Sequence, residues 1–255
     1  MNATARIVTA TKELVDSLLA MNINNRPMRK GVVDCYKQDI SDGRWLVTNQ
    51  GIGIDANGVL VDGQHRLEAL KEMGYPPIQL LIVSGLDPQV RSVIDQHAKR
   101  SVRDIWRLVL DHNVGSQAPA ICSVIYRAKT KFSKMARISP QRLKDVLDEH
   151  SEEIQFVLEN IQNTSKWAAP FLAAFVVIIK EHPIKTQEVA QFIARVSCGE
   201  NLTRKMPEYH FRNYLMTNRG QPGGGVVQQE RYQKAIRALM ASLNGEEMGV
   251  LRASY

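Results

Sequence analysis

The chain is poor in the features that mark several classes of protein. Its three cysteines, Cys35, Cys122 and Cys198, stand far apart with no Cys-x-x-Cys spacing. Such a pattern suggests neither a zinc site nor a disulfide framework and fits a reducing cytoplasm. The longest apolar run, residues 171–179, is nine residues, against the roughly twenty that a membrane-spanning helix needs. A buried helix beginning at Pro170 is expected there instead. Residues 1–12 lack the apolar stretch of a secretory signal. A cytoplasmic protein without a membrane partner is therefore expected. His112, His150 and His182 are isolated, without the i+3 or i+4 companion of a metal ligand, and are expected to be ordinary helix-end residues. Gly51-Ile52-Gly53 precedes a strand rather than following one, which excludes a dinucleotide-binding fingerprint. No internal repeat or low-complexity tract is present.

What the chain does have is a globular composition and an uneven charge. Hydrophobic residues make up 44% and charged residues 23% of 255 residues, which excludes an intrinsically disordered chain. The net charge is +7. Residues 1–105 carry 13 Lys and Arg against 12 Asp and Glu, and residues 106–255 carry 20 against 14, so the excess lies in the second part. A basic half either meets a polyanion or solubilises a helical surface.

The pattern of elements predicts an α+β fold: a small N-terminal domain with a mixed sheet, residues 1–104, then an all-helical region, residues 105–255. Thr11 is expected to cap a helix bearing Leu14, Val15, Leu18 and Leu19 on one face. A second helix is expected over 32–41. Runs at 44–48, 51–55 and 58–61 read as short strands, separated by the turn sequences Asn49-Gln50-Gly51 and Asp55-Ala56-Asn57-Gly58. A helix over 64–73 follows, ended by Gly74. A strand buried on both faces is expected over 78–83, and another helix over 88–95. Beyond Ser101, helices are expected over 101–111, 118–131, 139–150, 152–161, 171–180, 186–197 and 230–243. Gln221–Gly225 reads as a loop, and the Trp167–Ile179 stretch and the aromatics between 204 and 219 as core.

One sequence carries a concentration of chemistry. Val59-Leu60-Val61 runs into Asp62-Gly63-Gln64-His65-Arg66, and Leu67, Ala69 and Leu70 follow with helical spacing. A strand entering a helix through Asp-Gly leaves free N–H groups at the helix start, where the dipole favours an anion. Asp62 can cap the turn, Gly63 permits close backbone approach, and Arg66 offers a fork matched to phosphate oxygens. His65 can donate a hydrogen bond or carry a proton. The alternative is an Asp that only caps and an Arg that only pairs at the surface.

The stretch Asp62–Leu67, with Asn25-Arg26-Pro27 and Gly43-Arg44-Trp45 upstream, resembles the signature region of the ParB/sulfiredoxin superfamily, and more narrowly its ParB-like members in phages and mobile elements. The resemblance covers about residues 20–100. It implies a Gly-x-x-Arg helix start that contacts nucleotide phosphates. Gly63, Gln64, Arg26, Asp95 and Arg100 would bind nucleotide, and Asp62, His65 and Arg66 would act in catalysis; the alternative for Asp95 and Arg100 is a solvated inter-domain junction with a helix cap at Ser101, and Arg26 and Arg29 are open in the same way. It also implies Mg²⁺ with a nucleoside di- or triphosphate, ATP or CTP, a cytoplasmic setting in a phage host, and pairing into a homodimer. Gln64 stands where sulfiredoxin has its reactive cysteine, so thiol chemistry is not expected. Gln-His-Arg replaces the Glu-Arg-Arg of partition proteins.

Seven basic residues and no acidic one lie between 127 and 144. Arg127, Lys129, Lys131, Lys134 and Arg137 could track a nucleic-acid backbone, or form a solvated helix end. The expected function is Mg-dependent nucleotide hydrolysis or phosphotransfer on or near nucleic acid, with nuclease action a more distant option. The alternatives are a non-enzymatic DNA-binding regulator that uses the same turn, and an interaction protein built on the same scaffold.

Overall fold

The computed structural model describes residues 3–23, 25–94, 100–110, 114–132, 138–161, 167–218, 221 and 223–253. The chain divides into two compact units, Met1–Lys99 with Ala136–Ser139, and Arg100–Met135 with Pro140–Tyr255. The class is α+β: a four-stranded mixed sheet in the first unit and helices in the second. No described helix is long and apolar enough to cross a membrane.

The first unit opens with strand β1 (Thr4–Thr9) and helix α1 (Lys12–Ala20). Thr11 caps α1 by accepting the Leu14 N–H at 3.2 Å. Helix α2 (Lys30–Ser41) follows, then strands β2 (Ile52–Asp55) and β3 (Leu60–Asp62), helix α3 (Gln64–Glu72), strand β4 (Gln79–Leu86) and a 3₁₀ turn, Pro88–Ser92. The sheet order is β1-β4-β2-β3. β4 pairs antiparallel with β1 (Ile7 opposite Leu81) and parallel with β2 (Ile52 opposite Ile82), and β2 pairs antiparallel with β3. The β2–β3 turn is closed by Asp55, whose Oδ1 accepts the N–H groups of Asn57 at 2.9 Å and Val59 at 2.8 Å. Val15 and Leu18 of α1 and Leu67 and Leu70 of α3 share one apolar core with Ile52, Leu60, Leu80 and Ile82 of the sheet. That core fixes α3 beside the strands and so fixes the turn that enters it.

The second unit is helical: α4 (Val102–Val109), α5 (Ala118–Lys129), α6 (Pro140–Glu159), α7 (Ala169–Glu181), α8 (Thr186–Cys198), α9 (Pro207–Thr217) and α10 (Gly225–Leu243). Helix α7 is apolar on nearly every side and sits among α5, α6, α8 and α10, as a helix without a polar face must. Trp167, Phe171, Phe175, Phe192 and Phe211 meet edge-to-face or tilted at 5.4–6.2 Å, so the aromatic stretches are core, as their spacing predicts.

Several elements differ from the sequence expectation. β1 has no counterpart in it, because an edge strand with mainly exposed side chains shows little hydrophobic alternation. Residues 44–48 form no strand; they lack a neighbouring strand to pair with, and the Trp45 indole N–H instead donates to the Gln79 carbonyl at 2.9 Å. β4 is buried on one face only, through Leu80 and Ile82. The helix expected over 88–95 is a 3₁₀ turn to Ser92, and residue 95 lies outside the described residues. The two helices expected on either side of Ser151 do meet at a kink, with non-helical angles at His150, inside the continuous span α6. α9 was not anticipated as a helix, and α10 starts at Gly225, five residues before its expected start.

Candidate functional site

Gly63, rather than Asp62 as the sequence suggests, is the N-cap residue of α3, and no side chain caps the helix. Gly63 holds φ 103° and ψ 1°, a conformation that side chains resist. A Cβ there would meet Ile52 Cδ1 at 2.5 Å. The glycine is therefore required by packing against β2 as well as by the turn. Asp62 Oδ1 accepts the Gly63 N–H at 2.6 Å and Oδ2 accepts from Arg66 Nη2 at 3.0 Å. Arg66 also donates to the carbonyls of Gln50 and, at 3.0 Å, Gly51. Its side chain is 12% exposed. Arg66 thus ties the entry of β2 to the start of α3, in addition to any ligand role. A cavity of about 240 Å³ adjoins it, walled in part by Tyr36, Trp45 and Val47.

Met21, Asn22, Asn25, Arg26 and Arg29 lie over the same helix start. The Leu60 N–H donates to the Met21 carbonyl at 2.9 Å. Asn25 Nδ2 donates to Leu60 O and to Asn22 Oδ1, both at 2.7 Å, and Asn22 Nδ2 to Gln64 Oε1 at 3.2 Å. Gln64 Nε2 donates to the Arg26 carbonyl at 3.0 Å, and the Arg29 N–H donates to His65 Nε2 at 3.1 Å. Gln64 and His65 are both buried. Asn22 was not singled out in the sequence; the polar tract before Pro27 was its only signal.

The electrostatics follow. His65 is held below its ordinary value, first by burial and then by the nearby Arg26 and Arg29 guanidinium groups, with Asp62 opposing. It is neutral at pH 7. Because Nε2 accepts a hydrogen bond, the ring proton resides on Nδ1. Arg26, Arg29 and Arg66 therefore gather at the N-terminus of a nine-residue helix that has no acid in its first turn.

Arg100 belongs to the second unit, exposed, just before the Ser101 capping box of α4. Asp95, Lys134 and Arg137 lie outside the described residues. The rest of the basic tract is largely matched by partners, two of them on other helices and one four residues on in the same helix. Arg127 donates to Gln228 Oε1 at 2.8 Å, Lys129 to Glu149 Oε2 at 2.5 Å and Lys144 to Asp148 Oδ2 at 2.6 Å; Lys131 follows α5 in a turn with φ 51°. Among the described residues no three His, Cys, Asp or Glu side chains gather in a group able to hold a metal ion. Asp62, with an oxygen on Gly63 and another on Arg66, does not form a resident Mg²⁺ site by itself.

The chain matches no protein-family model, no curated protein and no solved structure.

Proposed function

We propose that the N-terminus of α3 binds the phosphates of a nucleoside di- or triphosphate, in the manner that resemblance to the ParB/sulfiredoxin superfamily implies. The observation that carries this reading is the approach of Arg26 and Arg29 to the buried, neutral His65 at a helix start that Arg66 also braces. A guanidinium offers a planar fork matched to phosphate oxygens, and the helix start adds its N–H groups and dipole. Arg26 and Arg29, whose guanidinium groups lie near His65, are assigned to the ligand, while Arg66 braces the turn through two carbonyls and Asp62. The cavity beside Arg66, with Tyr36 and Trp45 in its wall, offers an aromatic surface for the base. Magnesium, such as accompanies ATP or CTP, arrives on the nucleotide phosphates as part of the substrate, since metal sites for Mg²⁺ are commonly completed by those oxygens.

The same residues fit phosphate chemistry. Neutral His65 presents an N–H at Nδ1 to a phosphoryl oxygen, Arg26 and Arg29 neutralise its charge, and Asp62 lies at the turn where an attacking water or hydroxyl would be oriented. Nucleotide hydrolysis or phosphotransfer is the reaction class. Arg127, Lys129 and Lys144 of the basic tract are paired within the helical unit and take no part in this site.

The test is calorimetry of ATP, ADP, CTP, GTP and UTP, each with Mg²⁺, against the wild type and an Arg26→Ala/Arg29→Ala double variant. Binding by the wild type that falls at least tenfold in the variant is expected. A wild type that binds none of the five overturns the proposal, as does binding that the double variant retains.

A further inference from the structure

The helical unit contains a cavity of about 610 Å³ between the end of α5 and helices α6, α7 and α10. That volume is in the range of small-molecule sites. Ile125 and Val177 contribute apolar surface, and Phe132 and Tyr232 contribute rings 5.7 Å apart.

At its polar side stands His150, 3% exposed. Neither ring nitrogen has a hydrogen-bond partner among the described residues. Nε2 lies 3.5 Å from Glu149 Oε1 without forming a hydrogen bond, and Glu149 Oε2 is taken by Lys129. Gln233 Oε1, on the same cavity, is likewise buried and unpartnered. Buried polar atoms are almost always satisfied, so two such side chains on one cavity point to a missing partner. The backbone is unusual in the same place. α6 leaves helical geometry at His150 itself, with φ −124° and ψ 19°. Lys131 and Phe132 on the cavity wall hold φ 51° and 52°, a strained conformation of the kind that collects at ligand sites.

The chemistry of the unpartnered atoms selects the ligand. Burial keeps His150 below its ordinary value and so neutral; a neutral imidazole offers one donor and one acceptor, and the amide oxygen of Gln233 only accepts. A carboxylate or phosphate has no hydrogen to give to either acceptor. The rim lysines Lys129 and Lys180 are, moreover, engaged by Glu149 and by Glu153, the latter at 3.0 Å. A flat, uncharged molecule with an N–H beside a ring nitrogen or carbonyl along one edge satisfies one His150 ring nitrogen and Gln233 Oε1 and packs on the aromatic wall.

We propose that this cavity binds a neutral planar nitrogen heterocycle of the nucleobase type, its donor–acceptor edge on His150 and Gln233 and its body against Phe132 and Tyr232. The inference is independent of the α3 site.

The experiment titrates adenosine, cytidine, guanosine and uridine into the full chain and follows the His150 ring signals by NMR, with calorimetry for affinity. The nucleosides lack the phosphates on which the α3 site depends. At least one is expected to bind and to shift the His150 signals. His150→Leu and Gln233→Leu should each weaken that binding at least tenfold without lowering the melting temperature, since each replaces an orphaned polar group by an apolar one. The proposal is overturned if no nucleoside binds at millimolar concentration, if the bound nucleoside leaves the His150 signals unmoved, or if both variants retain full affinity. It is overturned as well if the variants melt earlier and the wild type binds nothing, the behaviour of a cavity filled only by ordered water.

Discussion

Gly63→Ala tests the account of the β3–α3 turn most directly. The new Cβ must sit at φ 103° and 2.5 Å from Ile52 Cδ1, with Ile52 Cα at 3.3 Å. A left-handed backbone costs a residue with a Cβ about 1–2 kcal/mol. Forcing a methyl group against a fully buried isoleucine adds about 1–3 kcal/mol of overpacking. The combined loss is about 2–5 kcal/mol, a large share of the stability of a domain this size. Hydrogen exchange of the amides in β2 and α3 reads this loss locally. At about 1.4 kcal/mol per decade, their opening should become roughly 30-fold to a few thousand-fold more frequent. The clash component can be isolated with Ile52→Val, which deletes Cδ1 and by itself costs about 0.5–1.5 kcal/mol. The double variant should be more stable than the sum of the two single losses predicts, by about 1 kcal/mol or more, while the backbone component remains. Additivity within about 0.5 kcal/mol would refute the packing explanation and leave only the turn conformation to account for Gly63.

Two further outcomes follow from buried titratable groups. His65 and His150 are both held below the ordinary 6.5, chiefly by burial. In acid the unfolded chain therefore takes up protons that the folded chain refuses, so stability present above that value is lost as the pH falls from about 7 towards the lowered folded values. Urea midpoints should decline over that interval, and His65→Gln should reduce the slope for the first unit; an unchanged slope would contradict the assignment. Burial pushes the Cys122 thiol up to about 12, while Cys198 is exposed. Iodoacetamide at pH 8 should label Cys198 and spare Cys122 in the native protein, with Cys122 reacting only in denaturant, as peptide mass spectrometry would report.

Local chemistry made much of the first unit legible. Asp62-Gly63 before an apolar helical run, Thr11 before Leu14 and Asp55-Ala56-Asn57-Gly58 between short strands are rules about a few adjacent residues, and α3, α1 and the β2–β3 turn obey them. The α+β class follows from the same signals. The edge strand β1 was not legible, since its pairing with β4 is made across some seventy residues and its side chains are mostly exposed. Nor could spacing reveal that Arg66 is bound to the carbonyls of Gln50 and Gly51, or that Asn22 and Arg29 grip Gln64 and His65.

The second unit sharpens the contrast. By itself the sequence determined that residues beyond Ser101 are helices around an apolar α7, because periodicity and the lack of any polar face leave no other burial. Whether the basic tract is a free patch was decided only in three dimensions. Arg127 and Lys129 are answered by Gln228 and Glu149, residues that no linear window contains. His150 shows the same limit: along the chain it is one more polar residue in a helix, and folding alone turns it into a buried imidazole on a cavity. Propensity and capping act over a turn or two of chain and can be read from neighbours. Charge pairing, burial and the shape of a cavity depend on which distant segments the core brings together.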